Sequence, residues 1–338
     1  MKKVKFAVVG CGSIGKRHVA VVDADERAAI TAVCDENLSK AQALSDLYGE
    51  IPVYEDYRQL IKESDADIIS ICTPHGLHAE MSVFAAEAKK NVLVEKPMAL
   101  TSSDARLMIE KAKENEVSLM VVKQNRFNVP ITLTKKALDE NKLGKIYMVQ
   151  CNVLWNRNEE YYTESDWRGK KELEGGALFT QVSHFIDLLV WWFGDVVDAN
   201  ALIDTKLHDI EVEDCGSASI TFNSGVMGSL LWTTCVYNKN YEGSITIIGE
   251  NGTIKIGGPY LNIIDFWDVR SFPLPHKTAF VDQPNSYGKY QGTSSNHDKV
   301  IKEVIKKLLN EKYSGVVEGD QGIKTIEAIE KIYKNAGI

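Results

Sequence analysis

The chain has 338 residues, 44% of them hydrophobic and 25% charged, with a formal net charge of -8. That length and balance suit two domains of ordinary size. The acidic excess argues against a general nucleic-acid or anionic-membrane surface, because both need a positive field. No segment approaches the roughly 18 apolar residues of a membrane span. The apolar stretch after Lys5 runs only from Phe6 to Val9, too short for a secretory leader, so a cytoplasmic protein is expected. Cysteines stand at 11, 34, 72, 151, 215 and 235, none as C-x-x-C. They read as small hydrophobes in a reducing compartment, with no disulfide or metal site expected.

Along the first third, VKFAVVG, AITAVCD, DIISICTP, NVLVEKP and VSLMVVK alternate with helical patterns at 38–48, 57–63 and 77–88. Thr101 followed by Asp104 makes a capping-box-like start for a helix through residue 113. Near-continuous apolar strands separated by helices predict βαβ units and a parallel sheet covered on both faces, an α/β domain over residues 1–123. After about residue 124 the pattern changes. A helix over 131–141 leads into the strand KIYMVQCNVLW, and a second helix spans 177–192. Then DCGSASITF, GVMGSLLWTTCVY, GSITIIGE, GTIKIGG and YLNIIDFW follow in succession, with turns at 223–225 and 250–252. Consecutive strands predict an α+β domain over 124–338 with a large, mostly antiparallel, open-faced sheet. Two amphipathic helices, at 297–310 and 321–335, close the chain and are free to pack back on the first domain.

Gly10-Cys11-Gly12-Ser13-Ile14-Gly15 is a G-x-G-x-x-G directly after a strand and opening a helix. Gly10 permits the turn, Gly12 the approach of a pyrophosphate, and Gly15 close helix–strand packing, while the helix N-terminus supplies partial positive charge. Asp35 lies twenty positions beyond Gly15, at the end of the next strand, where it suits ribose hydroxyls. No arginine follows in Asp35-Glu36-Asn37 to receive a 2′-phosphate, so NAD is expected rather than NADP. Thr73, Pro74, His75 and His78 follow a further strand, at the edge where cofactors bind in open α/β sheets, and are expected near the dinucleotide. Metal ligation by the two histidines is not expected, since no acidic or thiol partner lies in the segment. Glu95-Lys96-Pro97 follows directly on the strand NVLV, with Glu95 and Lys96 expected beside the cofactor; a lysine there can polarise a carbonyl or stabilise an alkoxide. The Lys96–Pro97 bond is a candidate for the cis form.

The glycine-rich motif, Glu95-Lys96-Pro97, and Gly175-Gly176 followed by His184-Phe185-Ile186-Asp187 together resemble the Gfo/Idh/MocA family of sugar and inositol oxidoreductases. That resemblance covers essentially the whole chain. It implies hydride transfer between the nicotinamide and a sugar-ring carbon, with Lys96 and His184 beside the reacting hydroxyl. Neutral imidazole is abundant at pH 7, which makes His184 the better proton acceptor and leaves Lys96 to stabilise the oxyanion, though the two roles could be exchanged. Many members carry an aspartate four residues before that histidine; here it is Thr180, which offers only a neutral hydrogen bond. Asp187 follows His184 on the same helical face, where capping or packing is as good an account.

The segment from Asn152 to Leu189 further resembles bacterial UDP-N-acetyl-glucosaminuronate 3-dehydrogenases of surface-polysaccharide pathways, in Thr180-Gln181 and Trp167-Arg168-Gly169. A uronate carrying UDP needs local cations. Arg126, Arg157 and Arg168 are candidates for its carboxylate or phosphates, and Trp155, Tyr161, Tyr162 and Trp167 for stacking on sugar or base. In the family, residues matching Gln124 and Asn125 help hold nicotinamide and substrate; Asn296 and His297 are candidates for the substrate too, a helix cap being the plainer reading. Three readings stay open: a nucleotide-sugar 3-dehydrogenase; another oxidoreductase of the family, acting on an inositol, a free sugar or a 3-keto sugar, or using NAD to assist glycoside cleavage; and a non-catalytic NAD-bound regulator. The open sheet face predicts a homodimer or homotetramer.

Overall fold

Short, mostly apolar stretches of two to seven residues bounded by polar turns build the strands of the first sheet. The computed structural model describes residues 3–274, 284–286 and 291–337. In chain order the first part runs β1 (Val4–Val9), α1 (Ser13–Asp23), β2 (Ala28–Cys34), α2 (Leu38–Leu47), β3 (Val53–Tyr54), α3 (Tyr57–Glu63), β4 (Ile68–Ile71), α4 (His78–Glu87), β5 (Asn91–Val94), α5 (Ser102–Glu114) and β6 (Leu119–Val121). Local chemistry starts the helices: Asn37, Asp56 and Thr101 accept from Ser39 N, Arg58 N and Asp104 N at the first turns of α2, α3 and α5. The cap expected at Thr101 is therefore present.

The chain continues with α6 (Val129–Asp139), β7 (Ile146–Leu154) and α7 (Glu159–Thr163), then a π-helical turn (Leu178–Val182) leading into α8 (Ser183–Phe193). Next come β8 (Val196–Asp204), β9 (Cys215–Phe222), β10 (Met227–Thr233), β11 (Glu242–Gly249), β12 (Gly252–Gly257), β13 (Ile263–Val269) and the short pair β14 (Pro284–Ser286) and β15 (Gln291–Ser294). The chain closes with α9 (His297–Leu308), β16 (Val317–Glu318) and α10 (Gly319–Ala336).

Two compact units result, residues 1–123 with 297–326, and residues 124–296 with 327–338. The first holds a seven-stranded sheet in the order β16-β6-β5-β4-β1-β2-β3, parallel except for β16, which pairs antiparallel with β6 at the edge. Its centre is apolar: Val8, Val19, Val33, Ala41 and Leu44 pack together between sheet and helices. The second unit holds the sheet β13-β12-β11-β7-β10-β9-β8. All its pairs are antiparallel except β7 with β10. Along these strands burial alternates. Val149, Cys151, Leu230, Trp232, Ile245 and Ile247 point inward, while Ile248, Met148 and Met227 are in register across three neighbouring strands and exposed at 39%, 44% and 58%. Among the described residues no helix is long and apolar enough to cross a membrane. All six cysteines are free, three buried and three half-buried.

Candidate functional site

The glycine-rich loop is shaped by what a side chain would strike. Gly10 has φ +94°, and a Cβ there would lie 2.6 Å from the Cys72 carbonyl oxygen; one at Gly15 would lie 1.8 Å from the Gly10 carbonyl oxygen. At Gly12 nothing comes within 4 Å. Gly12 is also the N-cap of α1, with no side-chain cap and no acidic residue in the first turn. Gly12 and Ser13 are exposed and Ile14 half-buried. The loop thus leaves a helix N-terminus open toward solvent at its one unobstructed glycine, which fits a pyrophosphate. Asp35 closes the arrangement: its Oδ2 accepts from Cys11 N at 2.8 Å and its Oδ1 from Asn37 N at 2.9 Å. Each of those oxygens keeps a lone pair for a ribose hydroxyl. Cys11 is a correction. Its N–H is spent on Asp35 and its buried thiol donates to the Cys34 carbonyl, so it holds the acidic residue and offers the phosphates no donor. Burial pushes that thiol up to about 12.

Thr73 and Pro74 are half-buried beyond β4, and His75 is buried beside His78, ring centroids 5.7 Å apart. His78 departs from the expected cofactor contact. It is fully buried, and its ring nitrogens lie 2.7 Å from the Pro97 carbonyl and 2.9 Å from that of Thr73, so its N–H is committed to the backbone. The Lys96–Pro97 bond is cis. Lys96 is half-buried. Glu95 is likewise turned away from any cofactor: Oε1 lies 2.9 Å from His18 Nε2 and 3.4 Å from His297 Nε2, and Oε2 accepts from Lys96 N. His297, expected near substrate, is 1% exposed and belongs to that cluster. Asn296, also expected there, is buried and donates to Asn128 Oδ1 at 2.7 Å, bracing the start of α6. The spacing of residues in sequence gave no sign of His18 as their common partner.

In the second unit, Gly175 and Gly176 have φ of +84° and +114°. A Cβ on Gly176 would sit 2.1 Å from Glu213 Oε2. Glu213 is the reason: its Oε1 accepts from Leu178 N, the first residue of the π-helical turn, and its Oε2 accepts from Tyr333 Oη at 2.8 Å. Burial raises the Glu213 carboxyl to about 7 against the donation of those two groups. The π-helical turn carries Thr180 and Gln181, and α8 carries His184 in its first turn, all three buried. One extra residue in that turn shifts Thr180 from where an uninterrupted α-helix would set it above His184, a feature often found at functional sites.

Arg126 is a second correction. Its Nε and Nη2 donate to Asp187 Oδ2 and Oδ1 at 2.8 and 2.9 Å, and its guanidinium lies 4.7 Å from the Trp191 ring centroid. A bidentate carboxylate from within the fold occupies the face expected to read one on the substrate. Arg157 and Arg168 gather on Tyr161 instead, 5.2 and 4.0 Å from its ring centroid. Gln181 Nε2 donates to the Tyr161 hydroxyl at 3.1 Å. Trp167 lies under Arg168 at 5.3 Å, and Tyr162 packs edge-on to Tyr161. Trp155 is core, its indole N–H donating to the Pro259 carbonyl. Glu174, which the sequence reading passed over, is buried behind this cluster; burial raises its carboxyl, opposed by the Gly169 N–H and the two arginines. Asn125 is 3% exposed, and among the described residues neither atom of its side-chain amide has a hydrogen-bond partner. Such a group calls for an external partner.

A parallel sheet with an open glycine loop and a carboxylate at the end of the second strand fits a dinucleotide-binding domain. Residues 4–123 match the oxidoreductase family with an NAD-binding Rossmann fold, and residues 131–255 match the GFO/IDH/MocA C-terminal domain. The chain belongs to the GFO/IDH/MocA family of oxidoreductases, and NAD is its cofactor. Among solved structures it is similar to the WlbA dehydrogenase from Bordetella pertussis in complex with NADH and UDP-GlcNAcA. The identity is 35%, covering 100% of this chain and 97% of that one, with a TM-score of 0.91. The corresponding enzyme from Chromobacterium violaceum, also with NADH and UDP-GlcNAcA, is 36% identical over 100% of this chain and 94% of that one, TM-score 0.90. Levoglucosan dehydrogenase of Pseudarthrobacter phenanthrenivorans is 24% identical over 75% of this chain and 73% of its own length.

Proposed function

We propose that the protein oxidises the C3 hydroxyl of a UDP-N-acetyl-hexosaminuronate with NAD, giving a 3-keto nucleotide sugar for surface-polysaccharide synthesis. The observation that carries this reading is the full-length likeness to two dehydrogenases whose structures hold NADH and UDP-GlcNAcA. The Tyr161 cluster supports it locally, since Arg157 and Arg168 concentrate positive charge on an aromatic face in a chain that is acidic overall. An anionic substrate needs that local excess.

Bound NAD supplies the hydride acceptor. In this reading His184 takes the hydroxyl proton as the C3–H bond breaks, and the Lys96 ammonium holds the oxygen as it becomes a carbonyl. Asn125, with its unpartnered amide, contacts substrate or nicotinamide, Gln124 lies beside it, and Thr180 with Gln181 lines the sugar. The exposed row of Ile248, Met148 and Met227 supports assembly into a homo-oligomer through the second sheet. A turnover panel of UDP-sugars, UDP-uronates, free sugars and inositols with NAD tests the substrate. The UDP-uronate gives the highest kcat/KM; a preference for an inositol or a free sugar refutes it. The intact Lys96 and His184 favour an enzyme over a regulator that only binds NAD.

A further inference from the structure

Four side chains meet in the buried interior of the first unit from four separate stretches of chain. His18 comes from α1, one turn beyond Gly15; Ser70 from β4; Glu95 from the end of β5; His297 from the start of α9. Their exposures are 0%, 0%, 5% and 1%. His18 Nδ1 lies 2.7 Å from Ser70 Oγ and its Nε2 lies 2.9 Å from Glu95 Oε1, so the ring is pinned at both nitrogens. His297 Nε2 approaches the same carboxylate oxygen at 3.4 Å as an electrostatic contact without hydrogen-bond geometry, and the two imidazole centroids are 5.7 Å apart. The remaining Glu95 oxygen accepts from the backbone N–H of Lys96 at 3.2 Å. Burial opposes the charge on Glu95, yet the two histidines hold its carboxyl well below the usual range; His18 is raised against its own burial by Cys72 first and Glu95 second. Removing a carboxylate and an imidazolium from water costs several kcal/mol per ion, and apolar side chains would fill the same space with less loss. Stability alone is therefore a poor account of the cluster; its directed bonds fix one backbone position.

We propose that the buried His18–Glu95–His297 triad is the positioning element of Lys96, joining the helix behind the glycine-rich loop and the start of α9 to the peptide N–H from which the Lys96 side chain springs. The inference rests on the assignment of Lys96 to the reacting oxygen. Glu95 touches no substrate; it acts through the residue that follows it.

A double-mutant cycle tests this. Glu95→Gln preserves volume and an acceptor but removes the charge that holds the His18 imidazole and faces that of His297. It lowers kcat about 10- to 100-fold, the loss typical when an outer partner of a functional group is removed, while KM and NADH affinity stay within about threefold. In a Lys96→Ala background the same substitution costs less than about twofold, because the residue through which it acts is gone. Losses that multiply across the two sites would overturn the proposal, marking Glu95 as a general support of the fold. Wild-type turnover in Lys96→Ala alone removes the Lys96 assignment and the proposal with it, whereas an inactive Lys96→Ala beside an unimpaired Glu95→Gln removes the proposal only. If Glu95→Gln does not fold, His297→Gln enters the same cycle with the same expectations. The three ligand atoms lie within 4.8 Å of one another, close enough for a divalent ion. Chelator dialysis leaves kcat unchanged; a loss restored by zinc would replace the metal-free triad with a metal site.

Discussion

Glu213→Gln is expected to stabilise the protein in neutral and alkaline solution while leaving it unchanged in acid. The Glu213 carboxyl is buried between Leu178 N and Tyr333 Oη, and it holds its proton up to about 7 against the usual 4.5. The unfolded chain releases that proton near 4.5, so the folded state binds more protons through this window, and stability falls as pH rises from 4.5 to about 7, then levels. The gap is worth about 1.4 kcal/mol per pH unit, or about 3 kcal/mol once the window is crossed. Glutamine keeps the acceptor for Leu178 N and turns its amide toward Tyr333 Oη, whose proton can go to the Gly175 carbonyl 3.2 Å away. The charge penalty then disappears with the hydrogen bonds retained. Thermal unfolding of both proteins from pH 4 to 8 should give matching midpoints in acid and a variant several degrees more stable at pH 8. A difference independent of pH, or a variant less stable at pH 8, would refute an anchor that is strained when ionised.

Asp187→Asn leaves the buried Arg126 guanidinium without its bidentate carboxylate, and urea unfolding should show a loss of about 3–5 kcal/mol that Arg126→Met in the same chain largely restores. Gly15→Ala drives a methyl group to within 1.8 Å of the Gly10 carbonyl; fluorescence titration should find NADH affinity reduced by about tenfold or more, about 1.4 kcal/mol. Arg168→Ala, which removes a cation from the Tyr161 cluster, should raise KM far more for a UDP-uronate than for the matching neutral UDP-sugar. Equal increases would take Arg168 out of charge recognition.

The parallel sheet was legible because its long strands are mostly apolar runs and three of the intervening helices, α2, α3 and α5, carry polar caps at Asn37, Asp56 and Thr101. Strands of two residues, β3 and β16, leave no periodicity to read, and β8 alternates weakly in VVDANALID. The glycine loop and Asp35 could be read because their chemistry is local. Arg126 and Asp187 stand 61 residues apart, and the sequence cannot tell a guanidinium aimed at a ligand from one already held by a carboxylate of the fold. His297 and Glu95 were misplaced for the same reason: their partner, His18, lies 77 residues before Glu95 and carries no motif of its own. The π-helical turn is set by Glu213, 35 residues beyond the Leu178 N–H it accepts, so LFTQV alone reads as ordinary helix.

The most direct measurement of the proposed chemistry follows one hydrogen. UDP-N-acetyl-glucosaminuronate carrying deuterium at C3 is turned over with NAD, and the isolated NADH and sugar are examined by mass spectrometry. The account predicts one deuterium in each NADH formed and none left in the 3-keto product. NADH without the label, or no NADH from this substrate while another sugar or an inositol is oxidised, would contradict it.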